Sequence, residues 1–494
     1  MKKFDVAIIG AGPAGYAAAM RAMDFHKKVA LIEKNKLGGA GLYNGALWSK
    51  TWWEMSCESA SLRKHGRSLH TLAPDVNFEY VRDEVEKAMQ LRVSMLDHHM
   101  RNINLNSGEE MIEYLHGAAR VVDRHTVEIS TKKGIEKISA DYIILATGSV
   151  PRKLPNLPID EETVFTSDGL ANLKKFPKSI VIMGAGVIGC EFATIFSNFG
   201  ATKVHLIDKG ERILPFEDED VVRVIERNLE KNKVLIHRNS RLIDMKVEEG
   251  EVLYTLEYDD GGKEIFHVEK ALVSVGRVPS YEGLFDPALG IEMDARGIID
   301  DMTRTSVGNI YAVGDITADI SLVNVGELEG RYAIERIFGQ PRRELIYENI
   351  STIMFLSPEV AGVGMNEQQA QAKGLEYKVV SLDYSCISRA IAMRNTEGFI
   401  KILVTNDEEH RVLGMRVVGQ HASSAIQAVA LLISTGKGVR ELAELIHPHP
   451  SIIEGIQECC RMLLGNSIMK PSVLRSAMTC RTYQKDGYVD YRPN

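Results

Sequence analysis

The chain has 494 residues, which at about 150 residues per domain sets an expectation of roughly three domains and excludes a small disulfide-stapled module. Apolar residues make up 45%, charged residues 26% and aromatics 7%, a globular composition rather than a disordered or membrane-embedded one. Fifty-nine basic and 67 acidic side chains leave a formal net charge of -8, so no positive field is built for nucleic acid.

The chain opens MKKFDVAIIGAGPAG, and its apolar run Val6 to Ile9 meets glycine too early for a signal peptide. No run approaches the ~20 apolar residues of a membrane span. The pattern predicts a short buried strand, a tight turn at Gly10, Gly12 and Gly15, and an Ala-rich helix from Tyr16 to about Met23. The first glycine permits the turn, the second lets backbone amides approach a pyrophosphate, and the third allows close helix-strand packing. A second strand, Val29 to Ile32, ends in Glu33, the acid expected on an adenosine ribose.

Next comes LGGAGLYNGALWSK, and all three tryptophans of the chain, Trp48, Trp52 and Trp53, fall in or just after it. Trp48 and Trp52 are four apart and so share a helix face. They read either as stacking surfaces for a planar ligand or as aromatic filling of a core.

From Ser179 the nucleotide-binding device recurs as IVIMGAGVIG, with Gly184, Gly186 and Gly189, a helix from Glu191, and a strand Val204 to Ile207 ending in Asp208. Asp208 would bond both ribose hydroxyls of NAD and repel a 2′-phosphate, so NAD is favoured over NADP, with Lys209 and Arg212 pulling the other way. Two such sites in one chain imply two cofactors, the simplest pair being a bound flavin and a visiting nicotinamide.

The six cysteines, at 57, 190, 386, 459, 460 and 480, show no CxxC or metal-finger spacing. They suggest a reducing, cytoplasmic compartment. Cys459 and Cys460 lie on an amphipathic pattern about 100° apart, one expected toward the core and one toward the surface. No histidine pattern has metal-ligand spacing.

Between the two glycine repeats lies DYIILATGSVPR, and after the second come VSVGRVPS and NIYAVGDI. These strings resemble the pyridine nucleotide-disulfide oxidoreductase family, nearest its dihydrolipoamide dehydrogenase branch, over the chain to about residue 474. The resemblance implies an α/β architecture of two Rossmann-like domains, for FAD and NAD, plus an α+β dimerisation domain. By that likeness residues 1–148 and 280–345 form the FAD domain, 149–279 the NAD domain, 346–474 the interface of a homodimer, and 475–494 a tail extension. Around FAD it sets Gly10, Gly12, Pro13, Ala14, Gly15, Glu33, Lys34, Lys50, Gly117, Ala118, Ala146, Thr147, Gly148, Gly314, Asp315 and Leu322. Around NAD it sets Gly184, Gly186, Val187, Ile188, Gly189, Glu191, Asp208 and Gly276, with Lys50 and Glu191 as a pair beside the flavin ring.

In HPHPSIIEG the likeness makes His449 an acid-base catalyst oriented by Glu454, whereas the local sequence alone favours loop histidines between prolines. The family motif GGxCxxxxC, however, meets Gly41 and Ala46 where its two cysteines stand, with Gly38, Gly39, Gly45, Ser49 and Lys50 holding the register. Neither residue carries thiol chemistry, and Cys57 lies beyond, in the following helix. Gly41, Ala46 and Trp48 are then expected to line an open acceptor pocket.

The expected function is hydride transfer from nicotinamide to flavin and on to a non-disulfide small molecule: a quinone, a diaphorase-type acceptor or a second nicotinamide. The alternatives are a non-catalytic flavoprotein scaffold or sensor, and a dehydrogenase using another relay thiol, with Cys480 in the tail as a candidate. The tail itself is expected to be disordered or to embrace a partner subunit.

Overall fold

The computed structural model describes residues 1–69, 75–107, 111–485 and 487–490. It divides into two compact units, Met1–Met55 with Pro74–Phe176 and Leu272–Leu345, and Ser56–Ala73 with Pro177–Ala271 and Ile346–Asn494.

In the first unit five parallel strands run in the order Ile310–Ala312, Gly134–Leu145, Lys2–Ile9, Val29–Glu33 and Ile112–His116. At the sheet's centre, in Val6–Ile9, Val29–Glu33 and Ile143–Leu145, side chains are buried on both faces, as a parallel sheet under helices requires, so Val6, Ile8, Leu31 and Ile144 follow one another without polar alternation. Each such side chain contributes about 1.5–3 kcal/mol by leaving water. The strand begins at Lys2 and the first helix spans Pro13–Asp24, both earlier than the sequence suggests. Pro13 explains the second difference, because its fixed φ and missing N–H suit the first helical turn. That helix packs on the helix Val323–Phe338 at a glycine, since a Cβ on Gly330 would lie 2.2 Å from the Ala14 carbonyl oxygen.

In the second unit the strands Ser179–Met183, Lys203–Ile207 and Leu235–His237 form a parallel set, followed by an antiparallel meander, Ser240–Glu248, Glu251–Tyr258 and Lys263–Val268. The helix after the second glycine turn spans Val187–Phe199, starting a full turn before Glu191. His205 and His237 stack at this junction with centroids 5.4 Å apart. Tyr254 and Tyr258 hydroxyls reach them at 3.0 and 2.8 Å, and Phe266 packs on both rings. Burial first, then His237 and Lys203, pull His205 down to about 4. Burial and Lys203 also lower His237 against the opposing pull of Glu264.

Both imidazoles are therefore neutral in the fold, and unfolding lets them take protons. Their contribution is complete above the ordinary histidine value of 6.5 and is lost as pH falls toward about 4. For His205 alone the loss is on the order of 3 kcal/mol. Denaturation midpoints measured from neutral pH downward should fall across that window in the native protein, and His205→Asn should flatten the fall.

The same unit ends in a seven-stranded antiparallel sheet whose order begins with Ser351–Met354 and Val360–Gly364. It continues through Val412–Val418, Phe399–Thr405, Tyr377–Asp383, Met478–Gln484 and Gly487–Asp490. The tail is thus not disordered where it is described. Its alternating Met478, Cys480 and Thr482 are buried along one face and pair with Tyr377–Asp383, extending the sheet as a hairpin. Residue 486 and residues 491–494 of that tail lie outside the described residues. Cys459 and Cys460 are both fully buried in the helix Ile453–Leu463, correcting the core-and-surface expectation, because this helix is covered on more than one side. Two short helices, Ala422–Ala425 and Gln427–Ser434, follow one another in this unit.

Candidate functional site

The two glycine turns solve one geometric problem twice. Gly10 has φ +106°, and a Cβ there would lie 2.2 Å from the Ala146 carbonyl oxygen, while one on Gly15 would lie 1.9 Å from that of Gly10. Gly184 repeats the left-handed turn with φ +94°. Gly12 and Gly186 each head a helix that no side chain caps, and a Cβ on either would meet nothing within 4 Å. Each helix N-terminus therefore has room beside its second glycine and no side-chain cap, which fits a pyrophosphate.

The acids that close the second strands are held alike. Glu33 accepts from the Ala11 amide at 2.8 Å and from the Asn35 amide at 2.7 Å. Asp208 accepts from the Ala185 amide at 2.7 Å and from the Gly210 amide at 2.8 Å. In both places the carboxylate is braced by the amide just after the first glycine, which aims its remaining lone pairs outward for a ribose. Beside Asp208, Lys209 lines a cavity of about 410 Å³ with Ser240, Arg241 and Tyr258. Arg212 is turned away to the Pro215 carbonyl.

Elsewhere in the first unit, Gly314 has φ +72°, donates its amide to buried Glu329 at 2.7 Å, and approaches Ala14 so closely that a Cβ would lie 3.2 Å from the alanine's. Asp315 follows it and accepts from the Ser149 hydroxyl at 2.7 Å. Thr147 donates to the Ser280 carbonyl, Gly148 turns with φ +66°, and Ala146 continues the sheet by donating to the Ile9 carbonyl. Leu322 stands just before the helix Val323–Phe338. Gly117 is required by packing, since its Cβ would meet Ile129 and Ser130 at 2.7 Å, and the adjoining Ala118 and Lys34 are exposed. Lys50 lies on the helix Ala46–Leu69, and Glu191 in the second unit accepts from the Phe355 amide at 3.0 Å. Val187, Ile188 and Gly189 form the first turn of their helix, and Gly276 in the first unit has φ +104°.

The segment where the family motif has cysteines is folded tightly. A four-residue helix, Gly39–Leu42, ends before a new one starts at Ala46, so Gly41 and Ala46 stand on different elements. A Cβ on Gly41 would lie 2.6 Å from Pro13 Cγ and 3.9 Å from Val323. The Pro13 ring thus stands where a side chain at position 41 would begin. Trp48, only 8% exposed, lies 5.5 Å from Trp52, and Trp52 packs on Phe78 and edge-on to Phe176. The indoles share a face as expected and make a core.

In the second unit His449 Nδ1 lies 2.7 Å from Glu454 Oε1, and Glu454 Oε2 accepts from the Ser451 amide at 2.8 Å. Burial would raise the Glu454 carboxyl, but the His449 and Ser451 bonds hold it below its ordinary value. An ionised Glu454 only accepts, so Nδ1 carries the proton and Nε2 is left on a side chain 70% exposed. His447 instead donates Nε2–H to the Leu442 carbonyl.

None of the six cysteines forms a disulfide. Burial pushes Cys190 and Cys459 well up and Cys460 and Cys480 to about 12, and burial with Asp383 raises Cys386. Cys57 is half-buried, with the Asn198 amide 3.8 Å from its Sγ. Among the described residues Asp218, Asp220 and Glu367 form one acid cluster of metal-ligand size, and Lys401 Nζ sits on it at 2.7–2.8 Å. Ser149 and Arg277, which join Asp315 in a hydrogen-bonded chain, were not singled out from sequence. Their only signal was the strings TGSVPR and GRVPS.

A model of the pyridine nucleotide-disulphide oxidoreductase family matches residues 4–330, and that of its dimerisation domain matches 350–460. The dihydrolipoyl dehydrogenases of Bacillus subtilis and Geobacillus stearothermophilus are 32% and 33% identical over 468 and 477 residues, covering 94% of this chain and 97% of each relative. Among solved structures, LpdA from Mycobacterium tuberculosis is similar with a TM-score of 0.85 at 25% identity. The HOCl-induced flavoprotein disulfide reductase RclA from Escherichia coli, as its Cu(II) complex, is similar with a TM-score of 0.82 at 26% identity. Each covers 94% of this chain and 100% of the solved one.

Proposed function

The chain belongs to the pyridine nucleotide-disulphide oxidoreductase family, and from that premise we propose that it is an FAD-dependent NADH oxidoreductase that works without a redox dithiol. When bound, FAD would supply a two-electron centre that takes hydride from reduced nicotinamide and yields it to an oxidised small molecule. The chain's own residues bind, orient and move a proton. The amides around Gly12 and the Glu33 carboxylate hold the adenosine diphosphate of FAD, and Asp315 holds its ribityl chain. Gly186 and Asp208 hold the nicotinamide dinucleotide, and Asp208 selects NAD by leaving no favourable place for a 2′-phosphate. His449, kept in one tautomer by Glu454, delivers or accepts a proton at Nε2.

The observation that carries this reading is Gly41 pressed on Pro13, with Ala46 on a separate helix. Of the cysteines elsewhere, five are raised away from thiolate chemistry, and Cys57 lies eleven positions past Ala46. The match to the dimerisation domain, with Leu431, Ile446, Ile468 and Val473 exposed on the single chain, supports a homodimer. Among the described residues no helix is long and apolar enough to cross a membrane.

The test is anaerobic rapid mixing of the flavin-loaded protein with NADH or NADPH, followed by acceptors. Fast bleaching by NADH, slower bleaching by NADPH, and reoxidation by a quinone but not by lipoamide are expected. A flavin that ignores both nucleotides would favour a non-catalytic scaffold. His449→Gln should slow reoxidation by a quinone, which must gain protons, by about a hundredfold while flavin reduction by NADH keeps its rate. Equal slowing of both halves would assign His449 a structural role.

A further inference from the structure

Within the first unit an antiparallel ribbon pairs Ser149–Pro151 with Arg277–Pro279. It is closed at one end by the Thr147 hydroxyl on the Ser280 carbonyl and the Ser280 amide on that of Gly148. At the other end the Arg152 amide donates to the Gly276 carbonyl. Across this ribbon Arg277 Nε donates to Ser149 Oγ at 2.8 Å and Nη2 to the Ser149 carbonyl at 2.7 Å. Ser149 Oγ lies 2.7 Å from Asp315 Oδ2.

The direction of these bonds is forced. A guanidinium has only donors and an ionised carboxylate only acceptors, so the single hydroxyl proton of Ser149 points at Asp315. The guanidinium polarises that hydroxyl and strengthens its bond to the carboxylate. Two donations from one planar fork also fix where Ser149 stands, which a lysine could not do. Arg277 has a second neighbour in Asp168, whose half-buried carboxyl is raised by burial and by Glu161 against the pull of Arg277, Lys153 and the Asn44 hydrogen bond. Its charge therefore bears on two acids, while its fork donates to Ser149.

We propose that Arg277 is a positioning residue that acts through Ser149 to hold the Asp315 carboxylate in one orientation for the ribityl chain of the bound flavin. This rests on Asp315 holding that chain, as proposed above. Its test is the FAD dissociation constant of the flavin-stripped full-length protein, read by quenching of flavin fluorescence.

Ser149→Ala and Arg277→Lys are each expected to weaken FAD about tenfold, as losing a charge-assisted hydrogen bond does. The double variant should weaken it by no more than about twofold beyond either, since both remove one chain of bonds. Ser149→Thr, which keeps the hydroxyl, should retain native affinity. Independent effects that multiply in the double variant, or single variants within twofold of native, would overturn the proposal. Should Arg277→Lys fail to fold, the contrast of Ser149→Ala with Ser149→Thr decides alone. Asp315→Asn separates the two claims. If it releases FAD while the relay variants do not, only the role of Arg277 falls, and if it too leaves FAD bound at native affinity, the reading of Asp315 falls with it.

Discussion

Placing cysteines at both family positions, Gly41→Cys with Ala46→Cys, is expected to leave two free thiols, no disulfide and no lipoamide turnover. A Cβ at position 41 would stand 2.6 Å from Pro13 Cγ, and Pro13 is the rigid first residue of the helix that presents the first glycine turn. The surroundings offer little slack. Gly39 lies against Gly12, where its own Cβ would be 3.1 Å from the Gly12 Cα, and a Cβ on Gly45 would be 2.4 Å from the Ala40 carbonyl oxygen. Inserting side chains into so close a contact costs about 1–3 kcal/mol, and a disulfide tolerates only a narrow range of Cα separations and Cβ directions, which that insertion would disturb. The double variant should denature earlier than the native protein, and thiol titration after unfolding should count every cysteine as free. An oxidised variant with two fewer titratable thiols and measurable lipoamide turnover would show that the relay geometry survives beneath the substitutions.

Lys401→Met is expected to remove about 3–5 kcal/mol of stability, the cost of breaking a buried ion network on one side. Lys401 is fully buried, yet its ammonium lies 2.8 Å from Asp218, 2.7 Å from Asp220 and 2.8 Å from Glu367. Burial alone would lower its proton affinity, but the three carboxylates hold it above the ordinary lysine range. Those acids are themselves committed. Asp218 accepts from the Glu367 and Gln368 amides at the start of the helix Glu367–Ala372, and Glu367 accepts from the Tyr377 and Tyr488 hydroxyls. Methionine matches the lysine stem in volume, so the loss measures charge rather than packing. Urea denaturation of Lys401→Met and of the triple variant Lys401→Met, Asp218→Asn, Glu367→Gln gives the comparison. The triple variant should recover much of the loss, because it buries amides in place of unpaired carboxylates. A single variant within about 1 kcal/mol of native would mean that the acids keep their protons or water in the folded state.

Both results bear on what was legible in the sequence. The glycine turns and their acids were, because each occupies a few contiguous residues whose spacing is dictated by a helix meeting a pyrophosphate. The absence of thiols at Gly41 and Ala46 was legible for the same reason, while its spatial consequence was not. Pro13 and Gly41 are distant in sequence, and nothing in composition shows that the proline ring stands against the glycine. The tail shows a similar limit. Its alternation over Met478, Cys480 and Thr482 is a strand signal, but only the partner strand Tyr377–Asp383 turns that signal into sheet. Cys459 and Cys460 read as half-exposed from a helical wheel, because a wheel knows one covering face and the fold supplies more. The link from Arg277 through Ser149 to Asp315 spans elements far apart in the chain, so only folding brings it together.

The central claim is that electrons leave the flavin without passing through a dithiol, and counting them tests it directly. Anaerobic titration of the flavin-loaded protein with NADH should reach full flavin reduction at one equivalent per FAD. No long-wavelength absorbance from a thiolate against the flavin should appear on the way. Uptake of a second equivalent per FAD, with that absorbance rising after the first, would contradict the account and place a working disulfide in this chain.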